Sequence, residues 1–365
     1  MPSILIVTVV HDPEDSRIRY RQIPALLDDG WRVTYAAPFG AYRRPLPLIG
    51  GLRALELPRA AGRDRLPANR AARALVRRLA PEHDLVLVHD PELVAALTGL
   101  GLDNLVWDVH EDPAAALVVK DWLPAVARGP VGAVWRRAEG LAERRHRLLL
   151  AEYDYQDRFA RPHPVVPNGV RVPGEVAAPG SDRVVYLGTV TMPRGCAEMV
   201  AVARTVAAAT DGACRLEVIG PARDAESARL LEAAAAEGVL TWPGFVPSEL
   251  ALARLPGALA GLSLLHDVPN YRHSRPTKIV EYLAHGVPAI TTPLPIAVQI
   301  VEDADAGVVV PFGDPDAAAA ALLALRADPA RAARLGANGH AAAQAQYDWN
   351  TAGPRFAATL RSFIP

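Results

Sequence analysis

The chain has 365 residues and a mass of 39.0 kDa, a length that suits two domains or three. Apolar residues make up 50% and charged residues 22%, a globular balance that excludes intrinsic disorder and collagen-like repeats. The formal net charge is −1, so no bulk field points to nucleic acid, and two cysteines cannot build a disulfide framework.

Read along the chain, residues 4–10 form a buried strand, 16–28 a helix and 32–37 a second strand entered through the Asp29-Gly30 turn. Residues 84–89 and 104–109 are further strands, with 91–100 helical between them. Short β-branched runs separated by helices indicate parallel strands buried on both faces. A Pro- and Gly-rich stretch, RPHPVVPNGVRVPGEVAAPG at 161–180, marks a linker. The series then restarts. Strands are expected at 183–187, 214–219, 240–242, 260–265, 289–291 and 307–310, with helices at 196–210 and 225–236. Ala-rich helices follow at 316–328 and 329–345, and the tail, 347–364, is amphipathic. This predicts an α/β protein with two Rossmann-like, doubly wound domains, residues 1–165 and 166–346, and a C-terminal helix at 347–365 that crosses back to the first. Two such domains in tandem would face each other across a central cleft and act on small molecules. Cys196 and Cys214 read as core thiols. The start, MPSILIVTVV, has no basic n-region, and no apolar run approaches the ~18–20 residues of a membrane span. The expected location is therefore the cytoplasm.

The strongest chemical signal is LLHDVPNYRHSRPTKIVEYLAHGVPAITT, residues 264–292. A strand ends, a loop carries Asn270 and Tyr271, and a helix starts near Pro276 with Ser274 as its cap and Gly286 as its stop. The free amides of a helix start attract anions. Lys278 stands in that first turn, where a cation is unfavourable unless an anion joins both, and Glu281 shares its face. Only Lys120 and Lys278 are lysines among the 39 basic residues. This set suits a nucleotide diphosphate: phosphate on Lys278 and the helix start, a ribose diol on Glu281. The alternative is a surface ion pair.

The segment resembles the donor-binding motif of retaining GT-B glycosyltransferases of family 4, in which Glu-x7-Glu opens the donor helix. Here the second glutamate is Glu281 and the first position is His273, so this sequence is closer to a bacterial subset with a PNY…S-x-PTK-x-x-EY loop. The resemblance implies that Glu281 binds ribose and that His273, Ser274, Pro276 and Thr277 face the donor sugar and phosphates. VVYLGTVTMPRGCAEMVAVA at 184–203 resembles the family's glycine loop, with Gly188 letting the backbone approach the diphosphate and Arg194 neutralising it. Thr189 stands where the family often has a second basic residue. LTWPGFVPSELALARL at 240–255 resembles the base-binding loop, in which the backbone of Phe245 and Val246 would read the nucleobase. In the first domain the loop at 9–33 is placed by the family over the donor phosphates through Asp15. Asp15 and Ser16 equally make a helix cap. VHDPELVAALTGL at 88–100 reads as structural. WDVHEDPAAAL at 107–117 ends a strand, and the family commonly has a histidine there near the reacting sugar, which marks His110 and Glu111.

The expected reaction moves a hexose-type sugar from a UDP- or GDP-linked donor to an acceptor hydroxyl or other nucleophile. Arg194, Lys278 and the helix amides would stabilise charge on the leaving oxygen. Retention of configuration is what the resemblance implies. No cofactor and no metal are expected: Asp314-Pro315-Asp316 precedes an Ala-rich helix and reads as a cap. The acceptor would be a small molecule or a lipid-linked saccharide. Residues 43–78 carry ten arginines against Glu56 and Asp64, either a solvated face or a surface for anionic lipid, and the weaker basic segment 135–150 points the same way. The rival readings are a GT-B nucleotide-sugar epimerase, which needs acid/base groups in its cleft, and a non-catalytic clamshell that binds a sugar nucleotide.

Overall fold

The computed structural model describes residues 1–110, 125–272 and 275–364. It divides into two compact units, Met1–Asn168 with Asn350–Pro365, and Gly169–Trp349.

The first unit is built on a parallel six-stranded sheet: β1 (Ser3–Val7), β2 (Arg32–Ala37), β3 (Leu52–Glu56), β4 (Leu85–Val88), β5 (Leu105–Val109) and β6 (Arg147–Leu150), in the order β3-β2-β1-β4-β5-β6. Helices α1 (Ile23–Asp28), α2 (Arg65–Leu79), α3 (Pro91–Leu97) and α4 (Ala125–Arg145) belong to it. The central strands are buried on both faces: Ile4, Leu5, Ile6 and Val7 have no exposed surface. In α2 the residues at a helical spacing, Ala68, Ala72, Val76 and Leu79, are the buried ones.

The second unit repeats the plan with β7 (Arg183–Leu187), β8 (Arg215–Ile219), β9 (Leu240–Gly244), β10 (Ala260–Ser263), β11 (Ala289–Thr291) and β12 (Gly307–Val309), ordered β12-β11-β10-β7-β8-β9 and again parallel. Its helices are α5 (Cys196–Ala209), α6 (Ala225–Ala236), α7 (Ser248–Leu252), α8 (Pro269–Arg272), α9 (Thr277–Ala284), α10 (Pro295–Asp303), α11 (Pro315–Ala327) and α12 (Pro329–Gln346). Alternate residues of β7 serve opposite layers, Val184 and Tyr186 one core and Val185 the other. The last helix, α13 (Trp349–Ser362), returns its length from Asn350 to the first unit, where Arg361 meets the Asp29 carboxylate at 2.6 Å. Both sheets reverse strand order at one point, between β1 and β4 and between β7 and β10. Ligands of such sheets bind where the strands beside that point end.

The structure corrects three expectations. Strands β3 and β6 were not anticipated: both lie at sheet edges, where half-exposed β3 lacks a continuous apolar run. The segment at 135–150 is the end of α4 followed by β6, not one amphipathic element. The helix expected from residue 16 opens as a wide π-type turn at Ile18–Gln22, with the Gln22 amide on the Arg17 carbonyl at 2.9 Å. That turn aims the Arg17 and Gln22 side chains at one carboxylate, Asp108. Both cysteines are buried free thiols. Asp314 caps α11, accepting the Ala317 amide at 2.8 Å. Among the described residues no helix is long and apolar enough to cross a membrane.

Candidate active site

In the second unit the chain leaves β7 at Gly188, whose φ is +117°, and makes a tight turn over Met192–Arg194. Gly195 follows with φ +84° and starts α5. A Cβ at position 195 would overlap the Leu264 carbonyl, so only glycine lets this corner close onto the end of β10. The closure holds Arg194 at the strand ends.

Helix α9 begins just beyond. Pro276 precedes its first turn in an extended conformation, and no side-chain hydrogen bond caps it. Tyr282 pins the helix across the reversal point: its hydroxyl accepts the Leu187 amide at 2.9 Å and donates to the Leu262 carbonyl at 3.0 Å. One cavity of about 290 Å³ opens here, lined by Arg194, Tyr271, Arg275, Pro276, Thr277 and Lys278, among others. No carboxylate belongs to its described lining.

Lys278 is only 7% exposed. Its ammonium nitrogen lies 3.8 Å from the centre of the Tyr186 ring and, among the described residues, has no hydrogen-bond partner. Burial, with the field of Arg194 added, holds its pKa well below the ordinary lysine value, and Glu281 opposes the shift. A Cβ built on Gly188 would sit 3.8 Å from Lys278 Cε, so the glycine loop and the lysine are neighbours. Tyr186 donates to the Thr189 carbonyl at 2.7 Å, and burial raises its pKa. Cations, ring faces and a helix start thus converge in a described lining without a carboxylate, the composition of an anion site.

The sequence-derived candidates are distributed as follows. Gly188, Arg194, Pro276, Thr277 and Lys278 come together. Glu281, buried one turn along α9, acts on Lys278 through its charge but is outside the described cavity lining. Phe245, exposed, and Val246, half-buried, follow edge strand β9 and are also outside that lining. Glu111, His273 and Ser274 lie outside the described residues. Asp15 belongs to the first unit, where its carboxylate accepts the Arg17 and Ile18 amides at 2.9 and 3.1 Å, the capping arrangement.

His110, at the end of β5, belongs to a cluster that the sequence reading did not assemble. Its Nδ1 lies 3.1 Å from the Asp108 carbonyl and its Nε2 3.1 Å from Nε2 of His11, which is 3.2 Å from the Asp90 carboxylate. The partners assign the protons. A carbonyl only accepts, so His110 carries its proton on Nδ1 and presents a lone pair at Nε2. His11 then carries the proton between that lone pair and Asp90. Asp90, beyond β4, also takes the Thr8 hydroxyl at 3.0 Å and the Val9 amide at 2.6 Å. Beneath lies Asp108, gripped by Arg17 at 2.7 and 2.8 Å and by the Gln22 amide at 2.7 Å. The Gln22 carbonyl faces His89 Nε2 at 2.7 Å, so that nitrogen donates, and its buried Nδ1 keeps a lone pair with no partner among the described residues.

Burial pushes the His89 pKa down to about 3, against the pull of Asp108. Burial and His11 lower that of His110. Against burial, Arg17 holds the Asp108 carboxyl far below the usual range, and His11 lowers that of Asp90. Burial thus keeps His89 and His110 toward their neutral forms beside carboxylates held ionised. The missed signal was in the sequence: His-Asp-Pro-Glu at 11–14 and 89–92 and His-Glu-Asp-Pro at 110–113, each just after a strand.

Two reversed parallel sheets, each with its polar groups at the carboxyl ends of its strands, define a two-domain α/β protein of the GT-B fold. Similar solved structures share it over nearly their whole length. Sucrose-phosphate synthase from Thermosynechococcus elongatus is 18% identical with a TM-score of 0.74 over 99% of each chain. WaaG, a glycosyltransferase involved in lipopolysaccharide biosynthesis, is 13% identical with a TM-score of 0.70 over 98% of this chain and 99% of its own. HepE from Anabaena is 14% identical with a TM-score of 0.69 over 99% and 100%. At such identities the likeness concerns the fold. No curated protein matches the sequence. Residues 181–328, most of the second unit, match the family model described as Glycosyl transferases group 1. On that match the chain is an enzyme of the nucleotide-sugar-dependent glycosyltransferase class.

Proposed function

We propose that the protein transfers a hexose-type sugar from a UDP- or GDP-linked donor to a hydroxyl of a small-molecule or lipid-linked saccharide acceptor, with retention of configuration, as a family 4 type enzyme. The observation that carries the reading is Lys278: a buried ammonium without a hydrogen-bond partner among the described residues, at a helix start, in a cavity it shares with Arg194 and Arg275. Such a group is costly until an anion joins it. The Anabaena neighbour was solved with UDP and glucose, which supports a UDP-linked donor.

In this reading the bond between the anomeric carbon and the β-phosphate oxygen breaks, and the charge left on that oxygen meets Lys278, Arg194 and the first amides of α9. These cations take the place of a metal. Preorganised donors of this kind are worth ~3–4 kcal/mol each at a transition state. The acceptor oxygen attacks from the departing side and its proton passes to the released phosphate. Glu281 holds the ribose, the backbone at Phe245 and Val246 reads the base, and Asp15, His273 and Ser274 complete the donor contacts. His110, whose Nε2 faces His11, and Glu111 serve the reacting sugar. The enzyme works in the cytoplasm and touches anionic membrane through the arginine-rich 43–78 region, where Leu46, Leu48 and Ile49 are exposed beside Arg43 and Arg44.

Calorimetric titration with UDP, GDP and ADP, followed by NMR of the product anomer, tests this. No binding of any of the three, or an inverted product, would overturn it. One observation favours a second reading. The imidazole and carboxylate cluster of the first unit is acid/base equipment that an epimerase needs and a same-face transfer does not. Isomerised sugar nucleotide formed without acceptor would select that reading.

A further inference from the structure

The first unit holds a second cavity, of about 260 Å³, between α3, β5 and α4. Its walls are mostly apolar, with Val94 from α3, Trp107 from β5, and Trp135, Leu141 and Ala142 from α4; the carboxylate in its described lining, Glu139, is held by Arg136 and Arg158. Along α4, Val131, Trp135, Ala138, Ala142 and Arg145 follow at helical spacing and form one stripe. That stripe is not sealed against the sheet: Val131 is 36% exposed, Ala138 is exposed, and Leu141 in the cavity wall is 47% exposed. A stripe that ends in an open cavity has room for an apolar guest. The volume is slightly below the ~300–1,000 Å³ of sites for drug-sized ligands, so the guest is small.

An independent observation gives the guest its polar end. Trp107 Nε1, Trp135 Nε1 and His146 Nδ1 are buried without a hydrogen-bond partner among the described residues, and all three residues line this cavity. Trp107 is only 3% exposed. An indole N–H can only donate. Burial keeps His146 toward its neutral form. Unmatched buried groups of this kind are rare, and the two indole N–H groups around one small space call for acceptor oxygens. Arg145, at the cavity wall, adds a positive charge.

We propose that this cavity binds a medium-length acyl carboxylate, the chain on the Val94, Leu141 and Ala142 surface and the carboxylate oxygens on the indole N–H groups beside Arg145. A ligand there would lean on β5, whose next residues, Asp108 and His110, belong to the imidazole cluster.

The test is calorimetric titration of the full-length protein with decanoate, decanol and decylamine, each below its micelle concentration. Decanoate should bind saturably at one site, and decylamine at least ~10-fold more weakly, the loss expected when charged hydrogen bonds are replaced by repulsion. Ala138→Trp places an indole in the exposed mouth, where folding does not depend on it, and should abolish decanoate binding. Trp135→Phe keeps the wall and removes one N–H, so it should weaken decanoate several-fold while leaving decanol unchanged. UDP titration should give the same result in both variants. No saturable decanoate binding, equal binding of decylamine, or binding indifferent to Ala138→Trp would each overturn the proposal. So would anionic vesicles binding through this helix while decanoate does not.

Discussion

Replacing Lys278 by methionine separates what the lysine costs the fold from what it gives the ligand. The side chain is 7% exposed, touches the Tyr186 ring at 3.8 Å and feels Arg194 as a like charge. Methionine keeps most of the volume and removes the charge. The ligand-free protein should therefore gain about 1–3 kcal/mol, as when an unmatched buried charge gives way to an apolar group. At ~2–4 °C per kcal/mol, the melting transition of the second unit should rise visibly. Nucleotide binding should move the other way. A hydrogen bond from a charged group to phosphate contributes about 1.5–3 kcal/mol, so UDP should bind ~10–150-fold more weakly, and turnover should fall at least ~10²-fold. The pH dependence adds a sign. Because the folded pKa lies below the unfolded one, the lysine's destabilisation is absent above the unfolded value and grows as pH falls toward the folded one. A bound diphosphate raises the pKa again, so above the ligand-free value wild-type protein should take up a proton on binding UDP. Calorimetry in buffers of different ionisation enthalpy measures this uptake. A Lys278→Met protein with unchanged melting and UDP affinity within about 3-fold of wild type would refute the reasoning, since 3-fold is under 1 kcal/mol.

Glu281→Ala should raise the donor KM ~10-fold and change kcat much less, because a ribose contact is equally strong in ground and transition states; steady-state kinetics with varied donor decide it. Urea unfolding at pH 7.5, 6 and 5 should show the first unit weakening with acid. His89 titrates near 6.5 unfolded and about 3 folded, so protons favour the unfolded chain below pH 6.5, by about 2 kcal/mol at pH 5. Below about pH 4 the carboxylates Asp90 and Asp108, lowered in the fold, lose their contribution as well. A flat profile from pH 7.5 to 5 would contradict the neutral assignment of His89. Gly195→Ala meets both a left-handed backbone and the Leu264 carbonyl, and should cost at least ~2 kcal/mol by chemical denaturation and weaken UDP binding through a displaced Arg194.

Short apolar runs such as ILIV at 4–7 and LVLV at 85–88 can satisfy their side chains only between two layers, so the sequence alone determined parallel strands and two repeated α/β units. It also determined helix α9, because Pro276, Lys278, Glu281 and Gly286 act on a helix through local spacing. Edge strand β3 escaped because a half-exposed edge needs no apolar pattern, and β6 because its short buried run, Leu148–Leu150, directly follows helix α4. What only the tertiary structure decided was which distant residues share a space. Arg194 and Lys278 meet because Gly195 closes onto Leu264, and His11, Asp90 and His110 meet because β1, β4 and β5 lie side by side in the sheet order. Burial of Lys278 without a partner among the described residues, and the neutrality of His89, follow from that packing. Charge state in a fold is set by desolvation and by neighbours from other strands, and neither is written in local sequence.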